Sequence, residues 1–248
     1  MALRPLLRRP ATARSILAAP RTHALYHSYE DPELPPYREA EDKILAAAMT
    51  HVPSNGFNID SLTLGAKDAG YLDISTNLFP RGSFELVRYH LVTQRLGLRH
   101  RIQFPSDGPT GVGRKVRSLI LERLHANADA GVVPRWQEAL AIMSLAENIP
   151  ESLRELSRLS DEIWFLAGDK SVDGSWYTKR ASLAGVYAAT EVFQSTDQST
   201  DFRDTEQFLD RRLEDLRTVG GAMSNTVQWL GFQGGSFVNL LRSKGVRV

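Results

Sequence analysis

The sequence predicts an all-α protein, a bundle of about nine or ten helices ending in a C-terminal amphipathic helix. From Glu39 on, apolar residues recur at intervals of three and four, and no segment sustains the period-two alternation of a half-buried strand. Pro53, Gly56, Gly70, Pro80, Gly82, Pro134 and Pro150 punctuate the periodic runs where helices are expected to stop or start. Near the end, Thr218–Leu241 runs for 24 residues without Asp, Glu, Lys or Arg.

The first expected helix covers about Glu39 to His51 and stops at Pro53 and Gly56. Asp60 is the expected N-cap of a second helix that ends near Gly70. A short third helix spans Ile74 to Phe79, and Ser83 caps a long fourth reaching about Gln103. After a Gly- and Pro-rich loop, Pro105 to Gly113, helical spacing resumes with Val116, Leu119, Ile120 and Leu124. Pro134 opens a helix to about Leu145, and Pro150 opens the next at a first-turn position. There Ile149, Leu153, Leu156, Leu159, Ile163 and Leu166 form a stripe expected to face the core, followed by the aromatic pair Trp164 and Phe165. A helix from Ser175 carries Leu183, Val186 and Tyr187; another, about Phe202 to Val219, carries Leu209, Leu213 and Leu216. Gly220 and Gly221 are expected to act as a hinge before the uncharged stretch.

Composition narrows the chemistry. The 248 residues include no Cys, which excludes disulfides, thiolate catalysis and Cys-ligated zinc. The first 29 residues hold five Arg and no acid, leaving 25 basic against 29 acidic residues, a net −4, in the remainder. The opening therefore reads as a mitochondrial transit peptide over 1–30, with a basic nucleic-acid-binding arm as the alternative. A Pro-punctuated linker covers 31–38. The rest divides into 39–103, 104–219 and 220–248. Glu122 and His125 form the sole Glu-x-x-His pair, too few ligands for a di-iron bundle, so no metal is expected. No nucleophile elbow, phosphate loop or dinucleotide fingerprint occurs, so neither an active site nor a cofactor is expected.

The helix order in 39–103 resembles the DNA-binding end of tetracycline-repressor-type regulators, carried by Ala46–Ala48, Gly56-Phe57, Ala69-Gly70, Phe79-Pro80 and Glu85-Leu86. Its charge does not suit DNA. Between Glu41 and Gly82, Lys43, Lys67 and Arg81 stand against Glu41, Asp42, Asp60, Asp68 and Asp73. The segment is thus expected to have lost DNA binding.

In the terminal stretch Met223, Val227, Leu230, Phe237, Val238 and Leu241 share one helical stripe, with Trp229 and Phe232 broadening it. Its Asn, Gln, Ser and Gly content argues against crossing a bilayer. Half-burying six such side chains at a membrane surface supplies roughly 5 to 9 kcal/mol. A buried helix or a dimer seam remains the other reading of the same pattern.

The segments HVPSNGF (51–57), LFPRGSFELV (78–87), ENIPESL (147–153) and, above all, DEIWFLAGDKSVDGSWYTKRASLAGVYAATE (161–191) resemble the mitochondrial lipid-binding accessory proteins of coenzyme Q (ubiquinone) biosynthesis. The resemblance implies a repressor-like fold and, by analogy with that fold, a homodimer, on the matrix face of the inner membrane. It implies a non-enzymatic role: binding an isoprenoid quinone precursor and presenting it to the di-iron demethoxyubiquinone hydroxylase and its biosynthetic complex. The implied partner patch is Asp161, Ile163, Asp173, Trp176, Tyr177 and Arg180, and the implied membrane helix is the uncharged stretch after Gly221. Candidate walls of a lipid pocket are Trp136, Met143, Leu166, Leu183, Tyr187 and Phe193. The alternatives are a repressor-like DNA regulator and a membrane scaffold that carries no lipid.

Overall fold

In the computed structural model, residues 36–104, 111–169 and 175–221 are described, and every regular element among them is a helix. The chain divides between Met1–Pro36, of which only Pro36 is described, and the unit Tyr37–Val248 that holds all these elements. The predicted transit peptide and most of the linker lie outside the described residues, as do Asp173 and all eight predicted membrane-facing residues from Met223 to Leu241.

α1 (Glu39–Asn55) begins with Glu39, Glu41 and Asp42 near its positive end, and the Arg38 N–H donates to Glu41 Oε2 at 3.0 Å. It runs past the expected stop. Pro53 lies in the final turn, where it removes one ladder bond without breaking the helix, and Gly56 ends it with φ 88°. Glycine is favoured there because φ 88° is strained for any residue with a Cβ, and a Cβ would also displace the Glu138 carboxylate that accepts the Phe57 N–H.

α2 (Ile59–Asp68) is capped by Asn58, whose side chain accepts the Ser61 N–H at 2.9 Å; the expected cap, Asp60, sits in the first turn instead. α1 and α2 cross closely at Gly65, where a Cβ would lie 2.4 Å from Ala48. The expected third helix is a 3-10 helix, Asp73–Leu78, anchored by buried Phe79. Leu72, Ile74 and Leu78 are exposed around it.

α3 (Ser83–Arg101) starts from Gly82 at φ 54° without a side-chain cap, so Ser83 is the first helical residue and not the cap. α4 (Val112–Asp129), a 3-10 turn (Val133–Arg135), α5 (Trp136–Met143), α6 (Ile149–Leu166), α7 (Ser175–Gln194) and α8 (Arg203–Gly221) complete the bundle. Gly220 and Gly221, the predicted hinge pair, are the last two residues of α8, and the stretch after them lies outside the described residues.

Two apolar cores result. The first joins Ile44, Leu45 and Val52 of α1, Leu62 and Ala66 of α2, Leu86 and Val87 of α3, and Trp136 and Ala139 of α5. The second joins Leu98 of α3 to Val116, Leu119 and Ile120 of α4, Leu159 and Ile163 of α6, Leu183 and Tyr187 of α7, and Leu209 of α8. α3 contributes to both, and its buried polar residues His90 and Arg95 fall between its two apolar runs. The predicted α6 stripe is only partly internal. Leu159 and Ile163 are buried, whereas Leu153 is 60% exposed and Ile149 37%.

Candidate functional site

The C-terminal end of α6 faces the start of α7, and this corner gathers most of the predicted partner patch. Asp161 on α6 accepts a hydrogen bond from Arg180 Nε on α7. Arg180 Nη1 also lies 3.7 Å from Asp169 Oδ2, while Lys179 Nζ donates to Asp169 Oδ1 at 2.9 Å. Trp176 lies over the guanidinium of Arg180, with the ring centroid at 3.9 Å, a cation–π stack. Tyr177 meets Trp176 edge-on at 4.7 Å between centroids. The next turn is tied down from below by Trp164, whose Nε1–H donates to the Lys179 carbonyl at 3.1 Å.

The outcome is an aromatic surface on a helix pair. Tyr177 is 73% exposed and Phe165 is 43% exposed, so two large rings face outward beside a fixed charge array. Aromatic side chains flanked by Arg are enriched at interface hot spots. Ile163 departs from the expectation. It is fully buried in the second core and supports the corner from beneath, since the helical period turns it inward with Leu159.

The predicted pocket residues fall in different places. Leu166, Leu183 and Tyr187 meet at the second core, Trp136 and Met143 belong to the first, and Phe193 stacks on Phe208 of α8 at 4.6 Å.

Sequence reasoning missed a buried polar network on α3, α4 and α7. Asn127 Oδ1 accepts from Arg123 Nη1 at 2.6 Å and lies 2.8 Å from His90 Nε2, which must therefore carry the proton. Asn127 Nδ2 donates to Glu191 Oε1 at 3.1 Å, and the Tyr187 hydroxyl donates to the same oxygen at 2.7 Å. Gln194 Nε2 closes the set on the Leu124 carbonyl at 2.9 Å. The signal was in the sequence. Arg123 and Asn127 are four apart and continue the apolar row of Leu119 and Ile120, so their face points inward.

Burial, with the Arg123 charge beside it, pushes the His90 imidazole down from 6.5 to about 3. The unfolded chain thus takes up that proton first, so His90 contributes stability fully above pH 6.5 and loses it as pH falls toward 3. Urea unfolding should weaken by about 1.4 kcal/mol per pH unit through this group, and His90→Gln should flatten that slope. Equal slopes in both proteins would show that His90 is already protonated in the fold.

No group of three or more His, Cys, Asp or Glu suited to a metal occurs among the described residues. Among the described residues, no helix is long and apolar enough to cross a membrane.

Fold and surface together define an all-helical, repressor-like bundle with an exposed aromatic corner at α6 and α7. A TetR transcriptional regulator from Nitrosomonas europaea superposes with a TM-score of 0.56 at 16% identity, covering 73% of this chain and all of that one, a likeness of fold alone. The chain belongs to the COQ9 family, whose model matches residues 149–220, the stretch that includes the corner. It is 36% identical over 221 residues to the mitochondrial ubiquinone biosynthesis protein coq9 of Schizosaccharomyces pombe, covering 89% of this chain and 87% of that protein. It is 35% identical over 193 residues to mitochondrial COQ9-B of Xenopus laevis and 32% over 188 residues to mitochondrial COQ9 of Homo sapiens. The chain spans 65% and 59% of the length of those two relatives.

Proposed function

We propose that this protein serves mitochondrial ubiquinone biosynthesis as a non-catalytic lipid-handling subunit. In this reading it takes an isoprenoid quinone precursor from the inner membrane and presents it to the di-iron hydroxylase, which docks on the α6–α7 corner. Membership of a family named for ubiquinone biosynthesis supports the pathway. The observation that carries the docking is the fixed Trp176–Arg180 stack with Tyr177 projecting beside it, inside the segment the family shares.

Extracting a polyprenyl tail costs about 0.8 kcal/mol per methylene unless an apolar surface receives it. The second core, formed by five helices and including Leu166, Leu183 and Tyr187, is the proposed receiver. The uncharged stretch after Gly221 is the proposed membrane contact. The DNA-regulator reading is disfavoured: the segment where a recognition helix would lie is a 3-10 helix with exposed Leu72 and Ile74 and an acid, Asp73, in its first turn.

Liposome flotation tests the membrane step. Full-length protein should float with cardiolipin-containing vesicles, and protein ending at Gly221 should stay in the dense fraction while keeping its helical circular dichroism. Equal flotation of the two would remove the terminal stretch from the account.

A further inference from the structure

Arg123 is fully buried, and its Nη1 is committed to Asn127. Its Nε and Nη2 meet no acceptor in the protein, and neither does the buried Nε1 of Trp136. All three are N–H donors. Nε and Nη2 form one complete edge of the guanidinium, two parallel N–H groups suited to two oxygens on one planar group. A buried charge-bearing edge of this kind is costly unless acceptors complete it.

The surroundings specify the acceptor further. His90 is held neutral by burial and turns its Nε2–H to Asn127, and Trp136 packs edge-on to His90 at 5.3 Å. The Tyr187 ring lies 6.0 Å from the Arg123 guanidinium, and its hydroxyl proton is committed to Glu191. Glu191 joins the same network through Asn127 and supplies one negative charge against that of Arg123. A further anion would upset this balance, whereas a neutral group with oxygen acceptors would not. The same helices carry Leu119, Ile120, Leu183 and Val186 of the second core, so the surroundings of such a head are apolar.

We infer that the Nε–Nη2 edge of Arg123 is a binding site for the oxygen-bearing ring of a quinone-type head group, taking two adjacent ring oxygens as a bidentate acceptor. This assignment rests on the lipid-handling reading above and names the residue that would orient the ligand. Arg123 is a binding residue, with no chemical step attached to it.

The test compares full-length wild type with Arg123→Lys, which keeps the charge facing Glu191 and removes the fork. Intrinsic tryptophan fluorescence is titrated with a vicinal dimethoxy benzoquinone bearing one prenyl unit, and separately with squalene, an isoprenoid without a head. The expected result is about 10- to 100-fold weaker quinone binding in Arg123→Lys, the loss of a charge-assisted bidentate contact, with squalene binding unchanged. In wild type alone, a slowly exchanging arginine Nε–H resonance that Arg123→Lys lacks should shift on saturation with the quinone.

Wild type and variant binding the quinone equally, with that resonance unmoved, overturns the Arg123 assignment while leaving lipid handling in place. Wild type that binds neither compound overturns both. Displacement of the quinone by millimolar inorganic phosphate, with phosphate shifting the same resonance, overturns the neutral head in favour of an anion.

Discussion

Glu155→Ala should lower the unfolding free energy by about 3–5 kcal/mol, the loss expected when one partner of a buried ion pair is removed. Arg95 Nε donates to Glu155 Oε1 at 2.5 Å, and both side chains are 4% exposed. Removing the carboxylate takes away the acceptor of the Arg95 Nε–H on α3 and the oxygen that Arg158 Nη1 meets at 3.4 Å, both on a side chain buried between the two cores. The pair itself is not the source of stability. Replacing both residues with apolar ones of similar volume, Arg95→Met with Glu155→Leu, should recover most of the loss, because the desolvation penalty vanishes with the charges. Urea midpoints of the single and double variants measure both effects, and a Glu155→Ala midpoint equal to wild type would mean that water reaches Arg95.

Trp176→Lys should weaken the proposed docking of the hydroxylase by about 100-fold or more, in the range of a central aromatic hot spot. Two things are lost together: the ring that holds the Arg180 guanidinium in place, and the apolar area shared with Tyr177. Arg180 would keep its hydrogen bond to Asp161, so the join of α6 and α7 should survive and the melting temperature should change little. Lipid content should be unaffected. Loss of association and lipid content together would indicate a folding defect instead of a docking defect. Tyr177→Ala, removing a ring that is 73% exposed, is the companion variant and should reduce association with no effect on stability.

Much of this organisation was legible in the sequence because helix spacing and proline–glycine punctuation are local signals. The helix order from α1 to α8 follows from them, whereas the corner residue set in 161–180 was implied only by the family resemblance. Where the readings shifted, a physical cause can be named. Pro53 did not end α1, because in a last turn the lost N–H costs one bond only. Asn58 displaced Asp60 as cap because its oxygen reaches the Ser61 N–H. The α6 stripe of six apolar residues looked uniformly internal, yet Leu153 is outside; spacing fixes a face, and only tertiary packing decides how far along the helix that face is covered. Ile163 is core, as its place in that stripe predicts, and not part of the patch that the resemblance implied. The six candidate pocket residues were chosen by type, and type alone could not say that Trp136 and Met143 belong to a different core from Leu183 and Tyr187. The buried network around Arg123 and Asn127 needed three helices at once, which no local window contains.

The central claim is that this protein carries an isoprenoid quinone precursor. Native mass spectrometry of the protein purified from mitochondria in a mild, non-extracting detergent, followed by solvent extraction and identification of the released lipid, tests it most directly. The account predicts one isoprenoid quinone or quinone precursor per folded chain, released on unfolding. A folded protein that remains free of such lipid after incubation with precursor-loaded vesicles would contradict it and leave a scaffold without lipid carriage.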